Sequence, residues 1–119
     1  TGEGGSGGAL AISVGDHLSM LEYSTYSVAS PEACASIIWR SSEKAPEAAE
    51  AMKVSSKELL KLNIIDEIIK EPLGGAHRDY DLMSSEIKKS ILKSLKQLQS
   101  MPMKELLKRR YSRIISIGS

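Results

Sequence analysis

Apolar side chains recur at every third or fourth position over residues 81–119, which is the spacing of one face of an α-helix. The first stripe contains Met83, Ile87, Ile91, Leu95 and Leu98. The second stripe begins after Pro102 and contains Leu106, Leu107, Tyr111, Ile114 and Ile115. Lysines occupy other faces of the first stripe, at Lys88, Lys89, Lys93 and Lys96. The pattern predicts two amphipathic helices.

Residues 1–80 contain shorter apolar segments, separated by turn-forming residues. β-Branched or apolar stretches predict strands at 17–22, 25–29 and 64–69. Helices are predicted after Ser30-Pro31-Glu32, after Pro46, and over 55–62, where Ser55 and Glu58 have the spacing of a capping box. Residues 72–75 predict a turn. The chain is therefore expected to be one α/β domain piece, rich in helix.

Glycines occupy most of positions 2–8, and an apolar stretch follows at 9–14 and ends at Gly15. This order predicts a loop that leads into a short buried helix with a glycine stop. Glycines at a helix start let a ligand approach the backbone, and the free N–H groups of the first turn favour negative charge. Such a site binds an oxyanion, an enolate or a phosphate without any charged side chain.

Two other interpretations of these glycines stay open at this point. A nucleotide phosphate loop needs a following Gly-Lys-Ser or Gly-Lys-Thr, which is absent here. A flexible linker without any chemistry fits the composition of residues 1–8 at least equally well. The apolar stretch directly after the glycines favours a helix start.

Acid–base and nucleophilic candidates are isolated along the chain. Cys34 lies between two alanines, so we expect a small core residue rather than a nucleophile. His17, at the start of a predicted strand, is expected to be an ordinary surface or hydrogen-bonded histidine. Asp66 and Glu67 are adjacent on a predicted strand, so their side chains point to opposite faces and cannot act as a carboxylate pair. No catalytic triad emerges.

Two polar segments near the C-terminal region have competing interpretations. His77 follows two glycines and lies beside Arg78, which suits a presented histidine, but a turn with a helix-capping Asp79 accounts for these residues nearly as well. A basic run could meet an anionic partner, although a solvated helix face is the commoner explanation. Its members are Lys104, Lys108, Arg109, Arg110 and Arg113.

Composition narrows the class of protein. The 119 residues carry a net charge of +1, which argues against a strongly nucleic-acid-directed protein, and one cysteine with two histidines is too few for a zinc site. No apolar run approaches the roughly 20 residues that span a bilayer, and the first residues do not resemble a signal peptide. These features predict a soluble, intracellular protein. Because Thr1 opens within a glycine cluster, we expect part of a longer chain.

Nine stretches, in order along nearly the whole chain, resemble the carboxyltransferase alpha subunit family of the multi-subunit acetyl-CoA carboxylase of bacteria and plastids. GEGGSGGALA and EPLGGAHR are the most specific of them. The full set covers residues 2–12, 14–16, 23–28, 30–32, 34–39, 44–46, 48–52, 71–78 and 109–111.

The resemblance implies a crotonase-type α/β fold, a superhelix of β-β-α units with C-terminal amphipathic helices. Residues 1–119 would form the C-terminal part of one such domain, with the core and the glycine-rich oxyanion loop in 1–80 and a helical region in 81–119. It also implies an alpha2-beta2 assembly with a zinc-bearing beta subunit, working with biotin carboxylase, which binds ATP, and with the biotin carboxyl carrier protein. No metal in this chain, no membrane and no specific nucleic acid are implied.

The implied reaction moves a carboxyl group from carboxybiotin to acetyl-CoA and forms malonyl-CoA for fatty-acid synthesis, in the bacterial cytoplasm or the plastid stroma. By resemblance, the backbone amides of Gly7 and Gly8 form an oxyanion hole near the biotin carbonyl. Gly4, Gly5 and Ser6 would shape the substrate-binding approach. The biotin ureido nitrogen can itself take the methyl proton in this scheme, so few acid–base side chains are needed.

Departures from the family pattern are small: Ser13 and Ala33 replace common glycines, and Lys70 replaces a common proline. Related enoyl-CoA hydratases place a glutamate shortly after their glycines, where this chain has only residues 9–11, Ala-Leu-Ala. Hydration or decarboxylation on the same fold is therefore disfavoured. A non-catalytic assembly module, docking through its amphipathic helices, remains an alternative. We expect the fragment alone to be inactive and to self-associate through exposed apolar residues.

Overall fold

The computed structural model describes residues 1–118, which form four short strands and six α-helices within that range. The strands are β1 (Glu3–Gly5), β2 (Ser19–Leu21), β3 (Thr25–Ser27) and β4 (Glu67–Ile69). The helices are α1 (Ser6–Ser13), α2 (Pro31–Trp39), α3 (Ala45–Met52), α4 (Ser56–Lys61), α5 (Tyr80–Gln99) and α6 (Met103–Ile115). Short 3-10 turns lie at Ser42–Lys44 and Ala76–Arg78. This mixture agrees with the predicted α/β class.

The strands form two parallel pairs. β1 pairs with β3 in the register Glu3↔Thr25, and β2 pairs with β4 in the register Ser19↔Glu67. Strands at 17–22 and 25–29 were predicted and are confirmed, each as three paired residues. Of the predicted strand at 64–69, only the second half pairs, because Asn63 adopts a left-handed conformation (φ 56°) after α4 and delays the extended segment.

Two small apolar clusters hold these elements together. The first joins β2, α4 and the segment before β4 through buried Met20, Leu59 and Ile65. The second joins α2 and α3 through Cys34, Ala35 and Ala48. Cys34 is therefore a small core residue, as predicted.

Helix starts follow the predicted signals in part. The Ser30 hydroxyl accepts a hydrogen bond from the Ala33 amide at 3.2 Å, so the cap of α2 is confirmed. The helix predicted over 55–62 exists, but the capping box is wrong, because the Ser55 side chain makes no capping bond. Ser55 bridges instead to Thr25 through the backbone, and the next residue, the buried Ser56, donates its hydroxyl to the Glu22 carbonyl at 2.7 Å.

The first helix differs most from its prediction. It begins at Ser6 rather than after the glycines, since residues 3–5 pair with β3 as a strand. Only Ala9 is buried in it, whereas Leu10 is 68% exposed and Ile12 is 61% exposed. A buried helix was therefore the wrong expectation for this chain alone, because no described element covers its outer face. The predicted glycine stop is also wrong, since Gly15 does not adopt a left-handed conformation.

Both C-terminal helices were predicted and are confirmed, but their apolar stripes are only partly covered. In α5 the buried residues are Met83, Ser90 and Ser94, while Ile91 and Leu95 of the predicted stripe are exposed. The described chain exposes 8386 Å², whereas a compact monomer of 12.9 kDa exposes about 6,300 Å². Its radius of gyration is 16.2 Å, against about 13.5 Å for a compact domain of this length. Much apolar surface thus lies open.

No helix within residues 1–118 is both long and apolar enough to cross a membrane.

Candidate functional site

The glycine-rich segment forms a strand, a sharp bend and a helix. Gly5 ends β1 in an extended conformation (φ −143°), and Ser6 turns the chain with a left-handed φ of 56°. A non-glycine residue at positive φ is uncommon and strained. The left-handed conformation of Ser6 bends the chain between β1 and α1 within a single residue. The first turn of α1 therefore lies at the end of the paired strands β1 and β3.

The amides at the start of α1 have no partners inside the helix. Gly5 is the N-cap residue, so the N–H groups of Ser6, Gly7 and Gly8 precede the first intrahelical bond. Gly5 has no side chain that could cap them, and the first turn contains no acidic residue. These donors, together with the positive end of the helix dipole, favour an anionic oxygen in front of the helix.

Gly7 and Gly8 are glycines that the described fold does not require. Neither has a positive φ, and a Cβ built at either position meets no atom within 4 Å. A glycine inside a helix costs roughly 0.5–1 kcal/mol relative to alanine. Two such positions at the first turn, both exposed, leave the amides open to a bulky group approaching from outside.

Gly4 is a glycine for a different reason. A Cβ at Gly4 would lie 3.2 Å from Cδ2 of Tyr26, its partner in β3, because the aromatic ring lies over the Gly4 backbone. At Gly5 the added Cβ would meet only the Ser27 carbonyl oxygen, at 3.8 Å. Both glycines were expected to shape the substrate approach. Gly4 in addition makes room for the ring of Tyr26, whereas Gly5 has no such close contact.

A cavity of about 510 Å³ runs along one face of α1. Ser6 and Gly7 line its end at the start of the helix. Most of its remaining wall is apolar and comes from Leu10, Val28, Met52, Leu59 and Ile64. Open amides beside an apolar cavity are the combination that holds a polar reacting group attached to an apolar body.

The Tyr26 side chain connects this cavity to the helix. Its hydroxyl donates to the Ala9 carbonyl at 2.6 Å, and its ring packs against the cluster of Met20, Leu59 and Ile65. Sequence reasoning missed Tyr26. Only the pairing of β1 with β3 brings it beneath α1, and no local spacing reports that pairing.

A separate cluster of polar side chains, outside the α1 site, surrounds the Glu67 carboxylate. Its Oε2 accepts hydrogen bonds from the Ser90 hydroxyl at 2.6 Å and lies 3.3 Å from Nε2 of His17. The Ser90 hydrogen bond lowers the pKa of the Glu67 carboxyl, burial opposes that change, and the His17 hydrogen bond lowers it further. Because Ser90 is bonded to the carboxylate and not to the imidazole, the cluster joins β2, β4 and α5 and is not a nucleophilic triad.

Asp66 turns away from this cluster. Its Oδ2 accepts the Leu18 amide at 2.7 Å and lies 3.0 Å from Nη2 of Arg113. The neighbouring carboxylates Asp66 and Glu67 therefore serve different partners, as expected from adjacent positions of an extended segment.

The basic run of α6 is not simply a solvated face, as it was expected to be. Arg110 forms a two-bond fork on the Asp16 carboxylate, with Nε 2.8 Å from Oδ1. That hydrogen bond is the main cause of the lowered pKa of Asp16. Arg113 bonds the carbonyls of Gly15 and Ile64 at 3.1 and 3.0 Å, which fixes α6 against the segments after α1 and α4.

The Gly-Gly turn before α5 presents exposed side chains. Gly74 and Gly75 have φ values of 93° and 109°, and His77 and Arg78 fold back over them. The Asp79 carboxylate accepts the Leu82 amide at 2.9 Å, so the predicted cap is confirmed. His77 has no side-chain hydrogen bond or ion pair among residues 1–118, and it does not line the cavity beside α1.

No group of three or more His, Cys, Asp or Glu residues that could hold a metal ion occurs within the described part of the chain.

Comparison with known proteins matches nearly the whole chain. A family model described as acetyl co-enzyme A carboxylase carboxyltransferase-like matches residues 1–118. Similar relatives include acetyl-coenzyme A carboxylase carboxyl transferase subunits alpha from Alcanivorax borkumensis, 60% identical over 99% of this chain and 36% of the relative, and from Pseudomonas aeruginosa, 60% identical over 99% and 37%. That of Photobacterium profundum is 58% identical over 98% of this chain and 37% of its own length. The chain spans little more than a third of these relatives.

Proposed function

The chain belongs to the acetyl-CoA carboxylase carboxyltransferase alpha family, and on that premise we propose that it carries the oxyanion-binding part of a carboxyltransferase active site. The proposed whole reaction transfers the carboxyl group of carboxybiotin, presented on the biotin carboxyl carrier protein, to acetyl-CoA and yields malonyl-CoA for fatty-acid synthesis. The observation that supports it most is the pair Gly7 and Gly8, whose amides are free and open where the fold demands no glycine.

The amides would act on charge that develops during transfer. When bound, carboxybiotin would supply the activated carboxyl group, and the biotin carbonyl oxygen would gain negative charge as the bond between the ureido nitrogen and that carboxyl group breaks. The N–H groups of Gly7 and Gly8 would donate hydrogen bonds to this oxygen, aided by the dipole of α1. Fixed backbone donors need no reorganisation during the reaction, and removing one such donor typically costs on the order of 10²–10³ in kcat.

The cavity beside the amides suits the body of the substrate. Its apolar wall, which includes Leu10 and Ile64, would hold an apolar ring or chain, while Ser6 offers a hydroxyl at the end of the cavity near the start of α1. Gly5 leaves the cap position without a side chain, so a substrate oxygen does not compete with an internal cap. The site residues Gly4, Gly5 and Ser6 thus shape the approach in this proposal, as the resemblance implies.

The complete enzyme includes more than this chain. We infer a crotonase-type fold for the whole subunit, an alpha2-beta2 assembly with the beta subunit, and cooperation with biotin carboxylase, which binds ATP, in the bacterial cytoplasm or plastid stroma. Because the chain covers only about a third of its relatives, residues 1–119 alone should show no turnover. Malonyl-CoA formation by the purified fragment would contradict that.

The test of the proposed function is Gly7→Val in the full-length subunit assembled with its beta partner. The added side chain occupies the open space in front of the amides, so turnover should be lost while the complex still assembles. Ala11→Val, which adds a β-branched side chain at an exposed position of the same helix that does not line the cavity, is the matched control. Unchanged turnover in Gly7→Val would exclude the amide site.

An assembly module is the second candidate, and the exposed apolar side chains favour it. Ile12 of α1, Ile91 and Leu95 of α5 and Ile114 of α6 are all exposed in the described chain. If Ile91→Ser or Leu95→Ser prevents assembly while Gly7→Val leaves turnover intact, the chain serves assembly rather than catalysis. The opposite pattern supports the oxyanion site.

A further inference from the structure

We propose that Tyr26 is a positioning residue that sets the orientation of α1 and thereby aims the amides of Gly7 and Gly8. This inference rests on the proposed function and adds to it a side chain that lies outside the glycine-rich segment. The Tyr26 side chain lines the cavity beside α1, and its hydroxyl bonds a carbonyl of the helix rather than an amide donor. It acts through the helix that carries them.

Tyr26 contacts both sides of the bend at Ser6. On the strand side, Tyr26 is the β3 partner of Gly4, and its Cδ2 lies where a Gly4 side chain would be. On the helix side, its hydroxyl donates to the carbonyl of Ala9 at 2.6 Å. One rigid aromatic side chain therefore spans the strand before the bend and the helix after it.

No other side-chain hydrogen bond joins α1 to a different element within residues 1–118. The remaining one that involves this helix runs from the Ser13 hydroxyl to the Leu10 carbonyl and is internal. Packing adds little restraint, because Ala9 is the single buried residue of α1. The Tyr26 hydroxyl thus adds to the Ser6 bend the one side-chain hydrogen bond that restrains the helix direction within residues 1–118.

The ring of Tyr26 is itself fixed by the core. It packs against the cluster that contains Met20, Leu59 and Ile65, all nearly fully buried. Because the ring is held by the core, its hydroxyl fixes the position of α1 relative to that core. Oxyanion donors must be aimed to within a fraction of an ångström, and a misplacement of about 1 Å can cost on the order of 10²-fold in rate.

Tyr26→Phe in the full-length subunit, assembled with its beta partner, isolates the hydroxyl. The ring and its packing remain, while the bond to Ala9 is lost, so kcat should fall about tenfold, which is the scale of one lost hydrogen bond felt at the transition state. KM for acetyl-CoA and assembly should change little, and the melting temperature should fall by no more than a few degrees, because one hydrogen bond to the carbonyl of buried Ala9 is lost. Tyr23→Phe, an exposed tyrosine three positions earlier, is the matched control.

A second variant reaches the same contact from the opposite side. Gly4→Ala places a methyl group 3.2 Å from Cδ2 of Tyr26 and must displace the ring. Gly4→Ala should therefore lower kcat, as Tyr26→Phe does. In the double variant the two effects should be less than additive, because both act on one contact. If Tyr26→Phe does not fold, a normal kcat in Gly4→Ala overturns the positioning role of Tyr26.

The outcomes separate the two proposals. Loss of kcat in Tyr26→Phe with unchanged KM, in enzyme that is folded and fully assembled at the assay temperature, supports the positioning role. Normal kcat in Tyr26→Phe, with turnover abolished in Gly7→Val, overturns the role of Tyr26 and leaves the proposed function standing. A fall in kcat that only follows the fraction of assembled enzyme also overturns it, since Tyr26 would then be purely structural. Full turnover in Gly7→Val overturns the proposed function itself.

Discussion

Nη2 of Arg113 in α6 lies 3.0 Å from Oδ2 of Asp66, which precedes β4. The Arg113 guanidinium also donates hydrogen bonds to the carbonyls of Gly15 and Ile64. Only 11% of the Arg113 side chain is exposed. The C-terminal helix is therefore anchored by a polar contact to the segments that follow α1 and α4, rather than by a shared apolar core.

Replacing Arg113 should destabilise the protein strongly. Arg113→Gln leaves Asp66 without its cation and two carbonyls without a donor, so the free energy of unfolding of the full-length subunit should fall by about 3 kcal/mol. Denaturant titration measures this.

The matched control is Lys108→Gln on the same helix. Lys108 is exposed and makes no hydrogen bond or ion pair within residues 1–118. Its loss should change the unfolding free energy by no more than about 0.5 kcal/mol. Equal losses in Lys108→Gln and Arg113→Gln would contradict the anchoring role of Arg113.

Acid sensitivity should depend on Glu67. The pKa of its carboxyl is lowered in the folded protein, chiefly by the Ser90 hydroxyl, so the carboxylate stabilises the fold above the ordinary carboxyl pKa. That stabilisation is lost as the pH falls from there through the lowered pKa of the folded state. Glu67→Gln should therefore flatten the fall in the urea midpoint between neutral pH and the acid range.

Ser90→Ala removes the largest cause of that pKa change and should flatten the same profile in part. Wild type, Glu67→Gln and Ser90→Ala giving superimposable pH profiles would show that this cluster contributes nothing to acid sensitivity.

The turn before α5 should tolerate no side chain at Gly75. Its φ is 109°, and an added Cβ would lie 3.1 Å from Nδ1 of His77. Gly75→Ala should lower the unfolding free energy by about 1–3 kcal/mol. By contrast, Gly7→Ala should leave stability unchanged or raise it by up to about 1 kcal/mol, because Gly7 is helical and unobstructed. A stability loss in Gly7→Ala as large as that in Gly75→Ala would show that Gly7 has a structural role.

Local patterns predicted the elements whose cause is local. Helices α5 and α6 follow from apolar periodicity, α2 from the Ser30 cap, and the turn at 72–75 from its proline and glycines. The buried face of α5 followed only in part from its apolar stripe: Met83 is buried, but Ser90 turns inward to bond Glu67, 23 positions away, while Ile91 is exposed. Hydrophobicity alone does not report a polar contact of that kind.

The candidate site was predictable in composition but not in geometry. Glycines and a following apolar stretch indicated a helix with open amides, and the helix does begin there. Its start at Ser6 could not be predicted, because it depends on pairing with residues 25–27. The roles of Gly4 and Tyr26 depend on that same pairing. Likewise, the contact between Asp16 and Arg110, which are 94 positions apart, depends on where α6 packs.

The central claim is that the amides of Gly7 and Gly8 hold an oxyanion, and Gly8→Ala tests it most directly. Turnover and melting temperature should be measured on the same preparation of the assembled full-length enzyme. We expect the melting temperature to stay constant or rise, since alanine favours the helix, while kcat falls about 100-fold because the methyl group displaces the reacting oxygen. Wild-type kcat in a stable Gly8→Ala enzyme would contradict the account.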